Sequence, residues 1–530
     1  VHARASAMVV AGDNANQLAE RVRGLGSKQL LAAAERVGLG WLDRRRDAPE
    51  WARVLGRAAL RGEPVAEPVD AARAAACIVG ASLPPAAPRA VAKAPPRRRV
   101  PNKIVEVSTE SGVRVLLERR RGSSTVAVRA AWSGGLASEP GSEAGLHHLM
   151  AASILAGCKQ RNTRAVADRL AATGGSLKGV AGRHSFGLVG RWPSPGAAAG
   201  LELLADCILE PRFEQVGVEG RKRRLVADLR RQTSDDGVRA HRLALVNLFP
   251  GHALGRHVAG RVETIDPLTS HSLAARYRQL YPTSRLVVAI VGDFDTERVR
   301  KWARRRFAQP MAATKAPAPA AAKPARPGQF FEAGADSGTA QLVIGFRTEG
   351  VEGKHRLALE LLASTLERPG GPLYRRLRSS GTAYHLGAAS VPGSGNGYLA
   401  VSVESETGRA GDVAATVRAV IVGLAANGPA AAELAGARKT LIARHLATRD
   451  SLVRSAAALA LHEVYGLGYR QFLDYPRLLR KVGLTQVKDA AREYLAWDRA
   501  VIQTVSKMPM TPAAERRARG RRKRPPKRRR

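Results

Sequence analysis

Two histidines stand side by side in GLHHLMAASILAGCKQR (145–161): His147 and His148. Imidazole is the commonest protein metal ligand and moves protons near neutral pH. Neighbouring residues of a helix point in different directions, which disfavours a metal site built on both rings. The simpler alternative is a pair of ordinary helix residues lining a cleft. The three cysteines, Cys77, Cys158 and Cys207, lie far apart in the sequence, without Cys-x-x-Cys spacing. They predict neither a disulfide framework nor a zinc ribbon. The remaining chemistry is charge. Lys and Arg number 86 against 45 Asp and Glu, a net +41, which attracts polyanions. It is densest in ERRARGRRKRPPKRRR (515–530), where Arg516, Arg517, Arg519, Arg521, Arg522, Lys523, Arg524, Lys527, Arg528, Arg529 and Arg530 face a single Glu. Such an arm neutralises phosphates. No aromatics interleave with it, so contacts to phosphate and shape are expected rather than base stacking. The alternatives are a nuclear-type signal or a solvated tail, and codon bias also raises the arginine count.

The elements that would position these residues follow from patterning. Apolar residues make up 45% and charged residues 25%, which excludes a wholly disordered or fibrous chain. No run of 18 apolar residues without charge occurs, so no membrane span is expected. Residues 1–82 read as a helical extension, and its first dozen residues, free of acids, have the flavour of a mitochondrial targeting segment. A Pro/Ala/basic linker (83–101) follows. From 104 the texture changes to alternating strands, with turns at ESG and RGSS. A helix over 145–157, strands within 176–190, long helices from about 196 to 247 and a buried strand, LVVAIVGDF (286–294), complete a lobe over 102–309. An Ala/Pro linker (310–328) separates it from a second lobe (329–507), and a basic tail (508–530) closes the chain. GTAQLVIGFRTEG (338–350) repeats the character of SSTVAVRAAWSGG (123–135), each strand leading through a loop into a helix. The predicted fold class is α+β, with two duplicated lobes of sheet and packed helices.

The stretch around Gly145 resembles the pitrilysin/insulinase-type inverzincins, most of all the branch of mitochondrial processing peptidase and the core subunits of respiratory complex III. That motif places His-x-x-Glu-His on a helix, two zinc ligands on one face with a general base between them. Gly145, Gly157, Lys159 and Arg161 match its flanks. In that register His148 takes the first ligand position, Ala151 that of the glutamate and Ala152 that of the second histidine. The family's third ligand, a glutamate on a later helix, falls at Asp228 in RKRRLVADLRR. LFPGHALGRHVAGRVETI (248–265) and YRQLYPTSRLVVAIVGDFD (277–295) resemble further family segments. In the second lobe, GGPLYRRLRSSGTAYHLGA (370–388) matches the segment that supplies an arginine and a tyrosine to the substrate, at Arg378 and Tyr384.

One imidazole and a shorter carboxylate do not replace the family's ligand set, and Ala151 cannot take a proton from water. The resemblance therefore implies an inactive homologue without a metal or other cofactor. The leading expectation is a structural, RNA-contacting component of the mitochondrial ribosome in the matrix. Its partners would be ribosomal RNA and ribosomal proteins, with a second processing-peptidase-like subunit possible. The alternatives are a core subunit of respiratory complex III and a noncatalytic partner subunit of a processing peptidase.

Overall fold

Residues 286–292, Leu-Val-Val-Ala-Ile-Val-Gly, are buried along their whole length, so this strand requires cover on both faces and neighbours on both sides. The computed structural model describes residues 103–507 except 233–234, 281–285, 309–321 and 336–337. The chain divides into two units, Val1–Val100 and Pro101–Arg530, and the description concerns the second. The expected helical extension, the linker 83–101 and the basic tail lie outside the described residues, as does most of the linker 310–328.

The first lobe contains strands β1 (Ile104–Ser108), β2 (Arg114–Arg119), β3 (Thr125–Ser133), β4 (Ser176–Ala181), β5 (Ser185–Pro193) and β6 (Leu286–Gly292). Its helices are α1 (Leu146–Ser153), α2 (Thr163–Ala172), α3 (Ala197–Leu209), α4 (Gln215–Gln232), α5 (Asp236–Leu248), α6 (Val262–Ile265), α7 (Ser270–Leu280) and α8 (Thr296–Arg306). The second lobe contains β7 (Gly328–Ala333), β8 (Thr339–Glu349), β9 (Ala383–Val391), β10 (Asn396–Glu406) and β11 (Val501–Ser506). With them are α9 (Arg356–Glu367), α10 (Ala410–Asn427), α11 (Ala431–Asp450), α12 (Leu452–Val464), α13 (Tyr469–Lys481) and α14 (Leu484–Tyr494).

The sheet orders are β1-β2-β6-β3-β5-β4 and β7-β11-β8-β10-β9. Apart from the extra edge strand β1 they superimpose in logic. β6 runs parallel to β2 and antiparallel to β3; β11 runs parallel to β7 and antiparallel to β8. The duplication expected from the sequence is therefore present, and the fold is α+β. One expectation is corrected. The turn at RGSS does not join two paired strands, because β6 inserts between β2 and β3. The physical reason is the two-sided apolarity of β6, which the centre of a sheet satisfies and an edge does not.

Each sheet is covered on its second face by a helix from the other lobe. Val287, Ala289 and Val291 of β6 pack with Leu116 and Ala131 against Ala456, Leu459 and Ala460 of α12. Reciprocally, Ala240, Ala244, Leu245 and Leu248 of α5 pack on Val343, Tyr398, Ala400, Val501 and Val505. The remaining faces hold the two lobe cores, with Trp132, Phe186 and Ile290 in the first and Ile344, Leu399 and Ile502 in the second. The segment Thr407–Asn427, which includes α10, is long and apolar enough by length and composition to cross a bilayer. Its Val413, Val417, Ile421 and Leu424 are buried in the second core.

Candidate functional site

Helix α1 starts from Gly145, whose left-handed φ of 95° suits glycine. A Cβ there would lie 2.6 Å from the Ala259 carbonyl oxygen. The Glu139 carboxylate accepts hydrogen bonds from the Gly145 and His147 backbone N–H groups at 2.7 and 2.6 Å. A buried carboxylate thus sits at the positive end of the helix. His147 is also fully buried. Its Nδ1 lies 3.0 Å from Glu139 Oε1, at ion-pair distance but off the hydrogen-bond direction. Its ring stacks on Phe186 at 5.1 Å, and Phe186 stacks on Trp132 at 5.2 Å. His147 is a core residue. Sequence reasoning missed Glu139, because a helix cap six residues upstream carries no periodic signal.

His148, the neighbour, is half-buried, with an Nδ1 that is buried and unpaired. Asp228 of α4 lies within electrostatic reach, as does His257. Burial pushes the His148 pKa down, partly opposed by the charges of Glu139 and Asp228. Ala151 is buried and Ala152 half-buried. The strand β4 crosses α1 here so closely that a Cβ on Gly179 would stand 1.9 Å from the Ala151 carbonyl oxygen.

The donor set does not fit a catalytic zinc. His148 offers one nitrogen, and the Asp228 carboxylate is engaged by Arg231 a turn further on. Among the described residues no three His, Cys, Asp or Glu side chains group as metal ligands. In the second lobe, Arg378 is exposed and donates to its own lobe's Ala383 carbonyl at 3.4 Å. Tyr384, at the start of edge strand β9, is 53% exposed. None of the contacts described brings either residue to His148. The eleven basic residues Arg516–Arg530 lie outside the described residues.

The flank of α1 is better furnished than its face. Past Gly157, Lys159 adopts a left-handed φ of 50° and sends its Nζ to Asp206 at 2.7 Å. Arg161 reaches the same carboxylate at 2.9 Å and Arg306 at 2.5 Å. Three cations from the turn and α8 thus converge on one nearly buried acid of α3. Cys158 and Cys207, far apart in sequence, come close to each other beside it as buried free thiols. That contact together with burial pushes the Cys207 thiol up.

The cleft beside His148 is cationic. The β4–β5 turn carries Arg183 and His184 to the second lobe, where His184 Nε2 accepts from the Ser394 N–H at 3.3 Å. Its ring meets Tyr465 edge-on at 6.4 Å. Burial, with the charges of Arg183 and His252, lowers the His184 pKa to about 4. Burial and Arg183 lower His241, whose Nε2 lies 3.3 Å from the Tyr398 hydroxyl. Burial and Arg242 lower His257. Several of these residues fall in the HRLALVNLFPGHALGRHVAGRVETI region, but their convergence depends on tertiary structure and has no local signature.

Two family models match the chain. One, described as "Insulinase (Peptidase family M16)", covers residues 114–261. The other, "Peptidase M16 inactive domain", covers 267–441, beginning late in the first lobe and running into the second. An uncharacterized zinc protease of Mycobacterium leprae is 24% identical over 64% of this chain and 77% of its own. A probable mitochondrial-processing peptidase subunit beta of Schizosaccharomyces pombe is 27% identical over 48% of this chain and 56% of its own. Among solved structures, an M16 inactive domain from Pseudomonas fluorescens aligns with a TM-score of 0.69 at 19% identity, over 77% of this chain and 99% of that one. A chain of complex III from Candida albicans aligns at 0.68 and 14% identity, over 78% and 98%. The duplicated lobes, their exchanged helices and two models of one family spanning more than half of the sequence lead to one conclusion: the chain belongs to the M16 (insulinase) peptidase family.

Proposed function

We propose that this chain is a catalytically inactive M16 subunit that binds rather than cuts, working beside a second M16-type chain. The observation that carries the proposal is the face of α1. In the register of the family motif Ala151 and Ala152 take the places of the base and second imidazole, and the carboxylate at the third ligand's place, Asp228, is held by Arg231. A catalytic zinc needs three protein ligands and an open position, and a general base contributes roughly 10²–10⁴-fold. The names of the relatives, zinc proteases and processing-peptidase subunits, favour a partner-subunit role. In that role Arg378 and Tyr384, exposed on the second lobe, would be offered outward.

The purified chain is expected to carry no stoichiometric zinc after dialysis and to cleave no presequence-like peptide. Zinc is expected to return only when Ala151→Glu, Ala152→His and Asp228→Glu are combined. About one zinc per wild-type chain, lost in His148→Ala, would overturn the inactive reading. Native mass measurement with an M16 chain that carries an intact His-x-x-Glu-His motif tests the pairing: a heterodimer is expected.

The tail supports a second reading, an RNA-contacting structural role in a large assembly such as a mitochondrial ribosome. Its eleven cations would release counterions on phosphate, with a slope near −0.7 per contact against log salt on single strands. Sedimentation of the native protein with and without ribonuclease separates the two readings.

A further inference from the structure

A cavity of about 200 Å³ opens between α4, α5 and the segment 257–263. Its walls carry Arg230, Arg239, Arg242, His257 and Arg261 against one acid, Glu263. The volume is below that of a drug-sized pocket, so a small ligand is the match. The chain is basic throughout, so a cluster of arginines alone would mean little; what distinguishes this one is Arg242, without an ion pair among the described residues, beside an Arg239 whose Nε is buried without a partner. Glu263 is 77% exposed and pairs, among the described residues, with Arg261 alone, at 3.9 Å, where solvent screens the pair. Arg239 is tied to Asp236 at 3.4 Å and to the Ala333 carbonyl through one terminal nitrogen, which leaves its Nε buried without a partner. Arg242, half-buried one turn further along α5, has no ion pair among the described residues. Its charge is felt by His257, whose pKa burial has already lowered. Leu229, Val238 and Val262 supply apolar walls, where charge-assisted hydrogen bonds gain strength.

We infer that this cavity is a binding site for a small phosphate-type oxyanion, with Arg242 and Arg239 as the principal donors and Arg230 and Arg261 at the mouth. Guanidinium forks bind such groups through paired N–H donors, and an unpaired buried Nε is a donor waiting for an acceptor. The site is separate from the basic tail and does not depend on pairing with another subunit.

Inorganic pyrophosphate, titrated calorimetrically into the full-length chain at physiological salt, is the probe. Arg242→Gln is expected to weaken binding about tenfold, the worth of one charge-assisted contact. Arg492→Gln, on an exposed face of α14, is expected to leave binding unchanged. Orthophosphate and citrate in parallel distinguish phosphate from carboxylate chemistry; citrate binding as tightly as pyrophosphate would refute the phosphate assignment. Mapping of dicarbonyl modification in the wild-type chain is independent of any variant's folding: pyrophosphate should shield Arg239 and Arg242. Shielding confined to Arg516–Arg530, equal binding by Arg242→Gln, or no binding at all would overturn the assignment.

Discussion

The seam between the lobes and the cleft beside α1 are built from similar residues to opposite effect. In the seam, Glu118 is fully buried and saturated. Its carboxylate takes Arg120 at 2.9 Å and both terminal nitrogens of Arg449 at 2.8 and 2.9 Å, with Ser455 close by. Arg120 also donates to Ser455 at 2.7 Å and to the Arg449 carbonyl. Strand β2 of one lobe is thereby fastened to the α11–α12 junction of the other, next to the apolar contact of α12 with β6. In the cleft, His148 Nδ1, Arg183 Nε and Arg239 Nε are buried and unpaired. The fold needs its seam to hold the lobes together, whereas nothing in folding requires the cleft to be satisfied. In the cleft these unpaired groups stand where a ligand or partner would supply the missing acceptors.

The largest effect is expected at Glu118. Glu118→Gln leaves Arg120 and Arg449 confronting each other at a buried site without a countercharge. Removing one member of such a cluster costs about 3–5 kcal/mol. Urea unfolding should show that loss, with part of it recovered when Arg449→Met is added. A loss under about 1 kcal/mol would mean that the seam is as loosely satisfied as the cleft.

Acid should act on both regions. His184 lies at the cleft, and His445 lies beside the seam, packed on Phe472 at 4.9 Å and Tyr475 at 5.3 Å. Burial leads in lowering each to about 4, with Arg449 and His462 adding to it at His445. The unfolded value is about 6.5. Above that pH neither state binds the proton and stability is at its maximum. Between 6.5 and 4 the unfolded chain takes up protons that the folded chain refuses, so stability falls with pH, and below 4 these two groups add no further loss. Each is expected to contribute on the order of 2 kcal/mol, less at His184 for its partial exposure. His445→Gln should flatten the decline between pH 7 and 4.5; an unchanged slope would remove His445 from the account.

An intermediate effect is expected at Asp206, which gathers Lys159, Arg161 and Arg306. Asp206→Asn should cost about 2 kcal/mol, since the acid is nearly buried while its partners are partly solvated. The thermal midpoint should fall, whereas the same change at the exposed Asp474 should leave it in place.

The sequence foretold the duplication because patterning reports elements, and the two lobes repeat it. It could not foretell that β6 slides between β2 and β3, since alternation records which faces of a strand are buried and not which strand lies beside it. The exchange of α5 and α12 was hidden for the same reason: an amphipathic helix does not say whose sheet it covers. At the site, the resemblance of one helix to the family motif pointed to His148, Ala151 and Ala152, and its register pointed to Asp228. Glu139, Arg183, Arg242 and the meeting of Cys158 with Cys207 depend on contacts between segments dozens of residues apart or on loop geometry, and no local pattern encodes them.

The smallest effect is expected at His148 itself. Its Nδ1 has no partner, burial disfavours its charge, and its half-buried position along the cleft lets water enter where the ring is removed. His148→Ser therefore forfeits no hydrogen bond of that nitrogen and opens no dry cavity, so unfolding should shift by no more than about 0.5 kcal/mol. The contrast with Glu118, an order of magnitude larger, is the sharpest form of the distinction between seam and cleft. Both variants should be measured in one urea series, with the slope against urea unchanged so that midpoints compare directly. A loss above about 2 kcal/mol at His148 would make it part of the structural frame. The cleft would then be a second seam, and the reason for its unpaired arginines would have to be sought in a bound partner that both lobes share.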